Sequence, residues 1–130
     1  MNLILSILKT IPFFQTLTEE EHLSIIQHIQ MQYYPAHYKL LEKGVSGNAM
    51  YIIKSGMVRI FNEGGEVASL GEGDFFGETA LIENQPRNAS AETLSDCEIF
   101  VLNREDFVTL MQKSPTISKK VEEAYLARKQ

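Results

Sequence analysis

The amino-acid sequence predicts a mainly β protein with flanking helices, in which eight short strands form a sandwich or barrel. All eight glycines fall between Gly44 and Gly77, at the spacing of turns that separate short strands. Apolar residues recur at helical spacing on both sides of this segment. We therefore expect one domain of 130 residues, with N-terminal helices in 1–30, the strands in 31–102 and two C-terminal helices in 103–130.

The N-terminal segment carries signals for two helices. The apolar opening of the chain predicts a short helix that breaks near Pro12, where proline disfavours continuation. Thr18 with Glu21 three residues later is a capping box, which predicts a second helix running to about Gln30. The buried stripe of this helix is predicted to consist of Leu23, Ile26 and Ile29.

Short strand-like runs separated by turn residues follow the second helix. The segment from Asn62 to Gly65 is typical of a hairpin turn between two of these runs. A predicted helical segment interrupts the strands after Phe76, and such an interruption of a β fold is where we expect a functional site. The predicted strands are 32–35, 38–43, 49–54, 57–62, 66–70, 74–76, 89–93 and 98–102.

Two helices are predicted after the last strand. Asn103 is positioned to cap the first of them, which spans 104–112. Pro115 suits the first position of the second helix, because the missing N–H is not needed there. The apolar face of the second helix is predicted to contain Ile117, Val121, Ala124 and Tyr125.

Charge and composition argue against several classes of function. The net charge of −5 disfavours general attraction to nucleic acid or to an acidic membrane surface. Residues 1–103 carry −7 and residues 104–130 carry +2, so an anionic ligand must be attracted locally. No stretch is long and apolar enough to span a bilayer. The single cysteine, Cys97, is expected to be a packing residue, and the cytoplasm is the predicted compartment.

The segments 75–81 and 85–90 are the most informative part of the sequence. Gly77 lets the backbone approach a ligand closely, and the apolar residues after it can start a helix whose first N–H groups point at an anion. Arg87 adds a forked guanidinium that can hold two phosphate oxygens. This combination predicts a pocket for a phosphate whose neighbouring sugar hydroxyl can be held by Glu78.

The pattern reads Phe-Gly-Glu-x-Ala-Leu over 76–81 and Pro-Arg-x-Ala-Ser over 86–90. It resembles the phosphate-binding cassette of the cyclic-nucleotide-binding domain family, the sensor module of catabolite-activator-type regulators, cyclic-nucleotide-dependent kinases and cyclic-nucleotide-gated channels. The resemblance implies an eight-stranded β-roll of jelly-roll-like form, with N-terminal helices, a short phosphate-binding-cassette helix and two C-terminal helices. We call residues 76–90 the cassette.

The resemblance also implies roles for individual cassette residues. Backbone N–H groups from Gly77 to Ala80 are expected to bind the phosphate together with Arg87, and Ala80 must stay small to permit the close approach. Glu78 is expected to accept a hydrogen bond from the ribose 2′-hydroxyl. Thr79 stands where an aliphatic residue is usual, a mild departure because the family uses this residue chiefly through its backbone.

The identity of the base is the least determined part of the ligand. Asn88 follows the arginine where related cAMP sensors tend to have alanine or serine and cGMP sensors tend to have threonine. Its amide can donate or accept toward a purine or a phosphate. The favoured ligand is cAMP, with cGMP as the alternative. Tyr125 is the candidate cap that stacks on the base, with Leu126 and Arg128 as substitutes; packing of the terminal helix or a dimer seam is the competing interpretation of Tyr125.

Two hypotheses about function follow from these residues. The first is a non-catalytic cyclic-nucleotide receptor that signals by movement of its C-terminal helices. The second is a nucleotide-free module on the same fold, used for protein interaction or for homodimerisation through the last helix. No catalytic residue, metal site or cofactor is expected, because His37 is the single histidine in the predicted β segment, 31–102. Two helices occupy the segment after Asn103, so direct DNA binding is not expected.

Overall fold

In the part of the chain that the structure describes, eight antiparallel strands form two facing four-stranded sheets, which confirms the predicted β-roll with flanking helices. The structure, a computed structural model, describes residues 3–83, 86–87 and 89–129. The strands are β1 (Gln30–Tyr34), β2 (Lys39–Leu41), β3 (Ala49–Ser55), β4 (Val58–Asn62), β5 (Gly65–Leu70), β6 (Phe75–Phe76), β7 (Ser90–Thr93) and β8 (Cys97–Asn103). Sheet A has the order β1-β8-β3-β6, and sheet B has the order β2-β7-β4-β5.

Helices lie before, within and after the run of strands. The α-helices are α1 (Leu3–Leu8), α2 (Glu19–Ile26), α3 (Arg104–Lys113) and α4 (Pro115–Lys129). Two short 3₁₀ helices span Pro12–Phe14 and Glu78–Leu81, and we call the second one the cassette helix. Across the described parts of the chain, none of the helices has the combination of length and apolar character that a bilayer crossing requires.

The predicted strands agree with the observed ones to within a few residues. The turn before Gly65 joins β4 to β5 as an antiparallel hairpin, as its sequence predicts. The largest difference is in β2, which is shorter than the predicted strand over 38–43. Its pairing with β7 shifts register between Lys39 and Leu41, and an irregularity of this kind interrupts the ladder of hydrogen bonds that defines a strand.

Strand β3 is buried on both faces and organises two hydrophobic cores. Because successive side chains of a strand point to opposite faces, Met50 and Ile52 face the helices, whereas Tyr51 and Ile53 face sheet B. The core between the sheets also contains Ala49, Val58, Phe76, Ala91, Cys97, Ile99 and Val101. Sheet A therefore separates a core made with the helices from a core made with the second sheet.

Helix α2 differs from its prediction in length and in the face that it buries. The capping box between Thr18 and Glu21 is present as predicted. The helix ends at Ile26 rather than near Gln30, and Leu23 is 44% exposed, so the predicted stripe is wrong at that position. The buried face instead starts one residue earlier, at His22, which is 2% exposed. The His22 Nε2 lies 2.7 Å from the carbonyl oxygen of Phe14, so one of its two ring nitrogens has a hydrogen-bond partner in the core. Its Nδ1 is buried without a partner among the described residues.

The two C-terminal helices start where the sequence predicts. Asn103 occupies the cap position of α3, but its side chain makes no capping hydrogen bond. Helix α4 begins at Pro115 and buries Ile117 and Val121 in the helical core. Its later half lies against the N-terminal segment, where the ring of Tyr125 is 5.8 Å from that of Phe13, centroid to centroid.

An ion pair adds a polar contact between the C-terminal and N-terminal helices. Lys120 Nζ of α4 donates to Glu21 Oε1 of α2 at 2.8 Å. The Lys120 hydrogen bond, followed by the Thr18 backbone N–H, holds the pKa of the Glu21 carboxyl below its usual range. The capping carboxylate of α2 thus serves a second purpose, as the partner of a lysine on α4.

We predict that replacement of Tyr51 by phenylalanine reduces the loss of stability at alkaline pH. Burial of the side chain, 7% exposed, is the main cause that raises the Tyr51 pKa to about 12. Since the folded state favours the neutral phenol, stability is complete below pH 10 and falls as the pH rises toward 12. By pH 12 the wild-type protein should lose about 2 kcal/mol of unfolding free energy more than Tyr51→Phe.

Urea unfolding at pH 8, 10 and 12 tests this difference. Tyr33 and Tyr34 also have raised pKa values and are retained in both proteins, so their effect cancels in the comparison. Parallel loss of stability in the two proteins would contradict the assignment to Tyr51.

Candidate functional site

The turn at Gly77 places the cassette helix directly after strand β6. Gly77 has φ of 80° and ψ of 8°, in the left-handed region that glycine adopts without strain. A Cβ atom at this position would lie 2.8 Å from the carbonyl oxygen of Ala49. Both the backbone angle and the lack of space therefore require glycine, as the sequence pattern indicates.

The backbone of Arg87 is tied to the loop between β2 and β3, residues 42–48. The Arg87 N–H donates to the carbonyl oxygen of Val45 at 3.0 Å, and the Arg87 carbonyl oxygen accepts from the Gly44 N–H at 2.8 Å. The neighbouring residues Ser46 and Pro86 form an isolated β-bridge. These contacts fix the position from which the arginine side chain extends.

The Arg87 side chain turns inward, toward the glycine turn. Its Nη1 donates to Thr79 Oγ1 at 2.8 Å, and its Nη2 donates to the carbonyl oxygen of Gly77 at 3.1 Å. The other side of the guanidinium packs against the backbone of Gly47, where an added Cβ would lie 2.7 Å from Nη2. The structure thus brings together the two parts of the cassette that the sequence separates.

The guanidinium is electrostatically suited to an anion. Burial lowers the pKa of Arg87, and the negative charge of Glu78 opposes this effect. Arg87 Nε is buried and has no acceptor among the residues that the structure describes. A buried donor without a partner costs about 1–3 kcal/mol. An anion with several acceptor oxygens could complete this hydrogen bond and also compensate the partly desolvated positive charge.

The other predicted cassette residues lie around the same turn, with two differences from expectation. Ala80 is 1% exposed, so a larger side chain has no room. Its N–H donates to the carbonyl oxygen of Gly77 at 3.0 Å within the turn, rather than standing ready for a phosphate. Thr79 contributes its side-chain oxygen to Arg87, whereas the resemblance implied a role chiefly for its backbone. Glu78 is half-buried, and Asn88 lies outside the described residues.

Tyr125 lies in the contact with Phe13 described above. Its ring is partly buried against the helical core. This location corresponds to the packing interpretation of Tyr125, and a stacking role over a base stays a prediction. Leu126 is exposed on α4, and the side chain of Arg128 lies outside the described residues.

Three residues near the site were missed by sequence reasoning. Gly47 provides space for the guanidinium of Arg87. The ring of Tyr51 lies against the Gly77 turn, 3.5 Å from the position that a Cβ on Gly77 would occupy. Arg104, the first residue of α3, donates from Nε to the carbonyl oxygen of Ala80 and from Nη2 to that of Gly47. The cassette pattern gives no signal for these residues, because each reaches the site from another part of the chain.

The groups that converge at the site are of the kinds that bind anions in proteins. Within residues 3–83, 86–87 and 89–129, no group of three or more histidine, cysteine, aspartate or glutamate side chains could hold a metal ion. The converging groups are instead a guanidinium, a glycine turn and one carboxylate. They match a ligand that combines a phosphate with a hydroxyl group.

Comparisons with known proteins place the chain in a family. The sequence profile of the cyclic nucleotide-binding domain family matches residues 31–114. The cyclic AMP receptor protein of Thermus thermophilus is 35% identical over 127 residues, which are 94% of this chain and 58% of that protein. The cGMP-dependent protein kinase egl-4 of Caenorhabditis briggsae is 31% identical over 123 residues, 89% of this chain and 16% of the kinase.

A solved structure gives a similar result. The regulatory domain of Toxoplasma gondii PKA, crystallised with cAMP, superimposes with a TM-score of 0.71 at 32% sequence identity. The match covers 82% of this chain and 42% of the other. This chain thus spans 58% of the bacterial receptor and 16% of the kinase.

We predict that Gly77→Ala destabilises the protein more than Gly73→Ala. Both glycines have positive φ, 80° and 87°, but an added Cβ at Gly73 meets no atom within 4 Å. Backbone strain should therefore cost about 1–2 kcal/mol in each variant, and the overlap with Ala49 should add to this cost at Gly77 alone. Urea unfolding measures the difference, and equal losses would show that the close approach at Gly77 is not limiting.

Proposed function

This chain belongs to the cyclic nucleotide-binding domain family, and from that premise we propose that it is a cAMP receptor that signals by movement of its C-terminal helices. The family is a non-catalytic regulatory domain, so the proposed output is a conformational change rather than a reaction. The observation that carries the proposal is the inward position of the Arg87 guanidinium, half-buried and hydrogen-bonded to the turn at Gly77.

Arg87 is proposed as the anchor of the cyclic phosphate. The bonds to Thr79 and Gly77 hold the guanidinium in place before a ligand arrives, which reduces the entropy that binding must remove. A phosphodiester adds a negative charge next to the partly desolvated guanidinium, in addition to the charge of Glu78. Charge-assisted hydrogen bonds of this kind contribute on the order of 1.5–3 kcal/mol each.

The remaining contacts are proposed from the positions of the cassette residues. Glu78 stabilises the charged form of Arg87 and is the proposed acceptor of the ribose 2′-hydroxyl. The small side chain of Ala80 keeps the backbone of the turn accessible, and Asn88 is the proposed contact to the base or phosphate. The preference for cAMP is supported by the names of the bacterial receptor and the Toxoplasma structure; the cGMP-dependent kinase makes cGMP the ligand to compare.

Movement of the C-terminal helices is proposed from the contacts of α4. In the described arrangement, Tyr125 packs on Phe13 and Lys120 pairs with Glu21. In this proposal, Tyr125 exchanges its contact with Phe13 for a contact with the base. The nucleotide and the N-terminal segment therefore compete for the same tyrosine ring. A ligand shifts such an equilibrium only by its difference in affinity for the two arrangements. Stacking of Tyr125 on the base would provide that difference.

The nucleotide-free alternative is a dimerisation module. Its supporting observation is Leu126, which is 51% exposed on α4, where it is available to a second copy of the helix. Concentration-dependent association without any nucleotide binding would favour this alternative. The cytoplasmic location, and the effector to which the helices report, stay predictions.

We predict that the wild-type protein binds cAMP more tightly than cGMP, and that Arg87→Ala weakens cAMP binding by about 10- to 150-fold. The loss follows from removal of the charge-assisted hydrogen bonds to the phosphate. Isothermal titration calorimetry with cAMP, cGMP and linear 5′-AMP gives the affinities, and circular dichroism checks that the variant is folded.

Arg59→Ala is the matched control for this experiment. The Arg59 guanidinium stacks on Phe61, 4.0 Å from the ring centroid, so this substitution removes the same charge from another half-buried arginine. Unchanged affinity in Arg87→Ala would refute the proposed anchor. Absence of binding by the wild-type protein at millimolar nucleotide would refute the receptor function.

We also predict that Gly47→Ala weakens cAMP binding by about tenfold or more while leaving the fold intact. The added Cβ overlaps the guanidinium of Arg87, which is the end of a long side chain and can move aside without a shift of the backbone, at the cost of its hydrogen bonds to Thr79 and Gly77. Displacement removes it from its binding geometry. Gly64→Ala is the control, because the nearest atom to its Cβ is Asn62 Oδ1 at 3.3 Å. Equal cAMP affinities for the two variants would contradict a role for Gly47.

A further inference from the structure

Arg104 connects the cassette to the first C-terminal helix. We propose that it is the positioning residue through which the turn at Gly77 and helix α3 respond together to a bound nucleotide. The inference rests on the proposed receptor function and assigns a residue to its transmission step. It is carried by the placement of Arg104 at the start of α3, with hydrogen bonds to backbone oxygens of two other segments.

The first set of contacts is with the end of the cassette helix. Arg104 Nε donates to the carbonyl oxygen of Ala80, and Nη2 donates to that of Glu83 at 2.8 Å. Carbonyl groups at the end of a helix lack partners within the helix, and a cation near them also interacts favourably with their dipoles. The guanidinium of α3 therefore fixes the orientation of the segment that follows the Gly77 turn.

The second contact is with the loop that supports Arg87. Nη2 of Arg104 also donates to the carbonyl oxygen of Gly47 at 3.0 Å. The guanidinium of Arg87 packs against the same glycine. Gly47 of the β2–β3 loop thus contacts both Arg87, the proposed phosphate anchor, and Arg104, the first residue of α3. A shift of either arginine should therefore displace Gly47 and, through it, the other arginine.

The backbone of α3 is held at the same point. The Arg104 N–H donates to the carbonyl oxygen of Asn48 at 2.8 Å. Movement of the helix start would thus break hydrogen bonds to the β2–β3 loop and to the cassette at once. The side chains of Phe107 and Leu110 on α3 lie in the same apolar core as Leu81 of the cassette helix, so apolar packing reinforces the polar connection.

The test compares Arg104→Gln and Arg104→Lys with Lys113→Gln. Lys113 is exposed at the opposite end of α3, so its substitution removes the same charge from the same helix. Amide hydrogen exchange is measured with and without saturating cAMP, and affinities are measured by calorimetry. In the wild type and Lys113→Gln, cAMP should protect both residues 77–83 and residues 104–113.

The Arg104→Gln variant should bind cAMP about 5- to 150-fold more weakly than the wild type. At saturating cAMP, the amide hydrogens of residues 77–83 should be protected from exchange in this variant, whereas those of residues 104–113 should not. Arg104→Lys keeps the charge but loses the forked geometry of the guanidinium, so its affinity and protection should resemble those of Arg104→Gln. The lysine variant replaces Arg104→Gln in the test if the glutamine variant does not fold. Wild-type affinity with protection of both segments in the Arg104 variants overturns the inference while the receptor function stands. A wild-type protein that binds neither cAMP nor cGMP overturns the receptor function and this inference with it.

Discussion

A positive charge held inward and partly removed from water is the constraint on which the site depends. The Arg87 guanidinium contacts the turn at Gly77 on one side and the backbone of Gly47 on the other. Glycine is required at each position for a separate physical reason. Gly77 has a left-handed backbone and lies close to Ala49, whereas a side chain at Gly47 would overlap the guanidinium of Arg87. Replacement of the arginine would remove the requirement at Gly47 but leave the one at Gly77.

The position of this charge in the fold determines what it can influence. Phe76 ends strand β6 in the core between the sheets, stacked on Tyr51 with ring centroids 5.0 Å apart. Five residues later, Leu81 enters the core made with the helices. The cassette helix therefore crosses from one core to the other. Because packed interiors have little empty space, a shift of this short segment cannot be absorbed locally and must be passed to its neighbours.

The C-terminal helices are held at two points of different character. The start of α3 is held by Arg104 through hydrogen bonds to backbone oxygens of the cassette and the β2–β3 loop. The far part of α4 is held by burial of Val121, by the contact of Tyr125 with Phe13 and by the ion pair of Lys120. The first point adjoins the cassette. The proposed function requires that a change at the cassette alter how α4 lies on the N-terminal helices.

The sequence by itself determined the β-roll, the capping box of α2, the start of α4 at Pro115 and the glycine turn of the cassette. These features depend on backbone preferences and on the alternation of apolar residues, which act over a few residues. Only the tertiary structure decided that His22 is buried in place of Leu23. It also decided that the Thr79 side chain accepts a hydrogen bond from Arg87. The contacts of Gly47 and Arg104 with the site were likewise decided by the tertiary structure. Each of these depends on a partner that is distant in sequence or on the space left between packed segments, and no local pattern encodes such a partner.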